Sequence, residues 1–147
     1  MAPNADQYDA MIILKLYELR RDAELRKARD WAAAELWPAS YEQLQSTLAP
    51  GSDANRYFRQ VFGYWEMAAA LAVHGAVDKD LFIECEGEMF FVYAKIRPLL
   101  ADFRKYNPDF MQSVETLLEH SPAAQKKLEL AEKRVALFRE RLAHVKK

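Results

Sequence analysis

Cysteine, glycine, proline and histidine are scarce in this chain of 147 residues, with one, four, six and three copies. The lone Cys85 excludes an internal disulfide framework and a multi-cysteine metal cluster. So few glycines and prolines argue against an all-β fold built on many tight turns. Neither charge sign dominates: the net charge of -1 argues against a strongly basic nucleic-acid binder. The longest uncharged run, residues 67–77, is about half of the roughly 20 residues a membrane helix needs. Residues 1–9 hold two acids and no base, unlike the start of a signal peptide. What is plentiful is apolar: 51% of residues are hydrophobic, too many for a disordered chain at this net charge. These proportions point to a soluble, cytoplasmic protein forming a single helical domain over residues 1–147.

The few glycines and prolines divide the chain into helical stretches. Residues 4–37 contain neither and are rich in Ala, Leu, Arg, Glu and Lys, which predicts one long helix over residues 6–36, capped by Asn4 and stopped by Pro38. Ser40 to Gln43 is a capping-box pattern for a short helix over residues 41–48. The turn Pro50-Gly51 leads to a helix over residues 54–74 with a wide apolar stripe, ended by Gly75. Asp78 caps a further helix, with a kink or break at Pro98. A short helix over residues 108–119 follows, then a long one over residues 122–145, opened by Ser121-Pro122. No segment alternates apolar and polar residues long enough to require a strand. The expected fold is therefore all-α, a single-domain helical bundle of four main helices and two short ones. Gly63, Gly87 and Pro98 mark places where helices should cross closely or bend.

Candidate chemistry is sparse. Glu66 interrupts an apolar helix beside Trp65, and helical spacing puts Arg59 and, nearly, His74 on its side. One reading is a ligand pocket built from Arg59, Trp65, Glu66 and His74; the other is a narrow solvated edge carrying an Arg–Glu pair. Eighteen aromatics, among them Tyr57, Trp65, Phe90 and Tyr93, could line an apolar pocket near Glu66. Glu84 and Glu88 stand one helical turn apart within an acidic patch, as a cation site would have them, but the Glu-x-x-His motifs of di-iron bundles and the EF-hand spacing are missing. Cys85 reads as a packing residue between Leu81 and Met89, while His120 and His144 read as solvated. There is no nucleophile elbow, phosphate-binding glycine loop or zinc-binding His pair. No metal, no cofactor and no catalytic residue is assigned, and the balance leans away from an enzyme; a metal-dependent enzyme ranks third among the functional readings.

The final helix is the most regular feature. Leu128, Ala131, Val135, Phe138, Leu142 and Val145 step by three and four, a pattern suited to packing on another helix. Lys126, Lys127, Lys133, Arg134, Arg139, Arg141, Lys146 and Lys147 outnumber Glu129, Glu132 and Glu140, leaving residues 121–147 at +5 and the rest of the chain at -6. The near-neutral total hides a dipolar molecule. The helix either packs on the bundle, pairs with a partner helix or second copy, or touches acidic lipid or nucleic acid; the absence of a groove-binding motif makes nucleic acid the weakest partner.

Tyr64-Trp65-Glu66, His74-Gly75, Asp78, Asp80-Leu81-Phe82, Gly87, Pro98 and Arg104 together resemble a family of uncharacterised bacterial all-helical proteins, a domain of unknown function, over about residues 57–110. The resemblance implies an all-helical fold and no activity, substrate or catalytic residue. Members of such families often carry an N-terminal membrane helix ahead of this block; here the charged helix expected over residues 6–36 takes that place. The function that follows from surplus amphipathic helix without a reaction centre is a non-enzymatic interaction or scaffolding module whose partner is a second copy, as a homodimer, or another helical protein. The alternative is a small-molecule-binding regulatory bundle with its pocket near Glu66.

Overall fold

The computed structural model describes residues 4–145, and all regular structure among them is helical. Helix α1 covers Gln7–Leu19 and α2 covers Ala23–Ala34. The single helix expected over residues 6–36 is thus two. Asp22 accepts hydrogen bonds from the amides of Glu24 and Leu25, both at 3.1 Å. That satisfies free donors of a new helix start and makes a break at residues 20–22 affordable without glycine or proline. The first cap is Asp6 rather than Asn4: its carboxylate accepts from the amides of Tyr8 and Asp9, and its own amide donates to the Asp9 carboxylate.

Helix α3 covers Tyr41–Thr47, capped by the Ser40 hydroxyl. Helix α4, Asp53–Val73, ends at Gly75, whose φ of +78° suits a residue without a Cβ. Helix α5, Lys79–Cys85, is capped by Asp78, and α6 covers Gly87–Ile96. The helix expected to run on to Pro98 is therefore broken earlier, at Glu86. Pro98 itself lies in a 3-10 turn, Arg97–Leu99, which leads into α7, Leu100–Phe103. Residues 108–111 are not helical: Met111 takes a left-handed φ of 57°, and α8 starts only at Gln112, running to Glu119. Helix α9, Pro122–Val145, is capped by the Ser121 hydroxyl on the Ala124 amide. The arrangement of four main helices and two short ones thus gives way to a more divided chain.

Helix α4 is the centre. Its side chains Phe58, Val61, Phe62, Trp65, Ala68, Ala69 and Ala72 are buried, with α2 and α8 packed against it. The Phe58, Phe62, Phe103 and Phe110 rings join in one cluster, with centroids from 4.4 to 6.1 Å apart. Helix α9 lies along α6 and buries Ala124, Leu128, Ala131 and Val135, but Phe138 is exposed, Leu142 only half-buried and Val145 exposed. Gly63 makes no close helix crossing: a Cβ there would meet no atom within 4 Å. Gly87 likewise has open space and opens α6 directly after the break.

Candidate functional site

The four side chains around Glu66 do not converge. Trp65 is wholly buried, Glu66 half-buried, and Arg59 and His74 are exposed. Arg59 donates to the Asn55 side chain at 3.1 Å, and His74 forms the C-terminal cap of α4. Among the described residues no hydrogen bond or ion pair joins Arg59, Glu66 and His74. The Glu66 carboxylate accepts from the amide of Met111 at 2.7 Å. Burial raises its pKa above the ordinary value, and that amide and the Arg104 guanidinium oppose the rise. Arg104 in turn donates to the Phe110 carbonyl at 3.1 Å and to Glu115 at 2.7 Å. Glu66 and Arg104 together hold the connection that carries the left-handed Met111.

A second polar centre lies where the two helix breaks meet. Glu86, at the α5–α6 break, is wholly buried. One of its oxygens pairs with Arg20, from the α1–α2 break, at 3.4 Å, and the other has no hydrogen-bond partner. Arg20 also reaches Glu88 at 3.3 Å, and Arg29 holds Glu88 at 2.9 Å. Burial raises the pKa of Glu86, with Arg20 opposing. The Arg20 guanidinium lies 5.5 Å from the Trp65 ring centroid, and the buried indole N–H of Trp65 has no acceptor. Nearby hydroxyls fasten α1: Tyr64 donates to the Leu16 carbonyl and Tyr17 to the Cys85 carbonyl, both at 2.6 Å. Glu84 and Glu88 do not share a helix face, because the break at Glu86 separates them and Glu88 is engaged by two arginines. Among the described residues no group of three His, Cys, Asp or Glu side chains is placed to hold a metal ion.

A third centre is cationic. Lys95 in α6 is only 1% exposed. Its ammonium donates to the carbonyls of Ala32 and Ala33, at 2.5 and 3.2 Å, near the C-terminus of α2. It also sits 3.8 Å from the Trp37 ring centroid and 4.9 Å from that of Phe91. Burial, and then Arg139 nearby, lower its pKa to about 7. Nothing short of the fold points to this residue or to Glu86. The only signals are a single lysine inside the apolar stretch Met89 to Ile96, and one acid of an acidic run standing next to a glycine.

A hollow of about 650 Å³ lies between α6, α7, α8 and α9, with Tyr93, Leu100, Leu118 and Leu128 as apolar lining and Arg97, Arg104, Glu115, Glu119, Glu129 and Glu132 around them. A second hollow of about 490 Å³ shares Arg97 and Glu132 with it and continues along the α6–α9 seam past Pro98, Val135 and Ala136 to Arg139. Arg97 and Glu132 form an ion pair where the two meet. Arg59 lines a smaller hollow with Gly63, between α2 and α4. Neither of the larger hollows includes Glu66.

The chain matches the family described as Domain of unknown function (DUF4760) over residues 7–121. It belongs to that family. The match runs from the first residue of α1 to the cap of α9, well beyond residues 57–110 on either side. Within it, the residues that carry the family resemblance do structural work. Tyr64 and Trp65 seat α1 and the Arg20–Glu86 cluster, Glu66 and Arg104 hold the Met111 connection, and Asp78 caps α5 on the Leu81 amide at 2.8 Å. Helix α9 lies outside the DUF4760 match. No curated protein and no solved structure matches the chain. No helix of the described residues is long and apolar enough to cross a membrane.

Proposed function

We propose that this DUF4760 chain is a non-enzymatic helical interaction module, folded as one unit, that associates with a second copy of itself. The observation that carries the reading is the outward face of α1. Ile13 and Leu16 point into the core, yet Tyr8, Met11 and Leu14 on the other side are 67, 63 and 67% exposed. The exposed Lys15–Glu18 ion pair borders these side chains, and apolar surface rimmed by charge marks interaction sites. The dipolar charge, -6 over residues 1–120 and +5 over 121–147, adds attraction between copies. Sedimentation from micromolar to near-millimolar concentration tests it: a rising mass supports the reading, and a monomer throughout refutes it.

A second reading, a small-molecule-binding bundle, is favoured by the 650 Å³ hollow, whose mixed apolar and charged lining suits an amphipathic ligand. It would place binding beside Arg104 and Glu115 rather than among Arg59, Trp65, Glu66 and His74. Thermal shift against a metabolite collection tests it, with loss of any shift in Arg104→Ala supporting this hollow as the site.

A further inference from the structure

We propose that the outer face of α1 seats in the α6–α9 groove of a second copy of this chain. The inference rests on the self-association reading and names its two surfaces. The first is exposed apolar surface, and the second is an open hollow whose apolar floor belongs to the core. Tyr8, Met11 and Leu14 face outward on α1, and the groove along α9 has apolar lining at Leu118, Leu128 and Val135.

Their lengths agree. At about 1.5 Å per residue, the 13 residues of α1 span about 20 Å, and the groove from Gln125 to Arg139 on α9 spans about 21 Å. Their charges also agree in one direction. At one end of the groove Glu115, Glu119 and Glu129 outnumber Arg104, and at the other stands Arg139. Helix α1 starts among Asp6 and Asp9, and toward its other end Lys15 and Arg21 flank Glu18, which lies 3.7 Å from Lys15. Laid so that Lys15 meets Glu129 and Asp6 approaches Arg139, two pairs of unlike charges face each other, and Lys15 bridges Glu18 of its own helix to Glu129 of the other copy. Unlike charges across an interface set register and speed encounter. An apolar patch that fits a hollow elsewhere on the same molecule makes a contact between different surfaces. Two copies close into a pair if each offers its α1 to the other.

The test uses the full chain in sedimentation equilibrium. Met11→Glu with Leu14→Glu on the helix, and separately Ala136→Trp in the groove, should each weaken self-association at least tenfold. Lys15→Glu and Glu129→Lys should each weaken it, and the two combined in one chain should restore it. These side chains are exposed, so melting temperatures should stay close to that of the wild type. Should the double glutamate variant misfold, the charge exchange alone decides. Variants that all associate as tightly as the wild type overturn the inference and leave self-association standing through another surface. Single charge variants that weaken association without rescue in the combination overturn it as well. A wild type that is monomeric throughout overturns both readings.

Discussion

Lys95 is a cation with no carboxylate beside it. Its ammonium is held by two carbonyls near the end of α2 and by the faces of Trp37 and Phe91. A cation near a helix C-terminus is favourable, and so is one over an indole, but neither replaces the water lost on burial. Its pKa is lowered to about 7 in the folded chain, against about 10.4 in an unfolded one. Between those values the unfolded chain binds the proton that the folded chain has released, so this group makes stability rise with pH. Urea unfolding from pH 6.5 to 9.5 should show that rise in the wild type, and Lys95→Met should lack it. Glu86 works in the opposite direction. Its folded pKa is raised, so a proton is taken up more readily in the folded state and acid relieves the cost of burying the charge. Arg20→Ala would leave that carboxylate without its partner and should cost about 3–5 kcal/mol at pH 7. The loss should shrink as the pH of the same unfolding experiment is lowered, because a Glu86 that takes up a proton no longer needs a partner charge.

At the level of elements, the helix ends explain most of what was legible. Ser40, Gly75, Asp78 and Ser121 stand where the chain turns, and each makes the cap its residue type suggests. The two hidden breaks had weaker markers. Residues 20–22, Arg-Arg-Asp, are helix-compatible, and besides the Asp22 cap it is tertiary partners that reward the break: Arg20 leaves the helix line to reach Glu86 and Glu88. The start of α8 was hidden for a similar reason, since a methionine in left-handed backbone costs roughly 1–2 kcal/mol and persists here because Glu66 takes its amide. Glu66 itself was visible as an odd acid in an apolar helix, but its partner, 45 residues away, was not. Gly63 shows the limit of composition: a glycine inside a helix suggested a close crossing, yet the space beside it is open. Gly63→Ala should therefore stabilise the chain by up to about 1 kcal/mol, read as a higher melting temperature.

At the level of the whole molecule, the net charge is negative over residues 1–120 and positive over residues 121–147. The proposed pairing sets Lys15 against Glu129 and Asp6 near Arg139, so it should respond to ionic strength. Screening lengths fall from about 10 Å at 0.1 M salt to about 3 Å at 1 M. The apparent dissociation constant should therefore rise with sodium chloride in sedimentation, while the apolar contact of Met11 and Leu14 keeps some association at high salt. The long basic side chains of α9 also work locally: Lys127 donates to the Ile83 carbonyl at 2.5 Å and Arg139 to the Pro38 carbonyl at 3.1 Å. Helix α9 thus clasps both α5 and the end of the α2 connection.

The position of α9 in the chain also imposes an order in time. Helix α6 is made about 50 residues before the end of α9, which at a synthesis rate of about 5–20 residues per second is a delay of roughly 2–10 s. Throughout that interval the side of α6 that meets α9 has no cover, while α2 and α4 can already pair. A nascent chain paused there presents apolar surface to whatever is near, so slow codons after Ser121 should lower the soluble yield of this protein more than slow codons before α6.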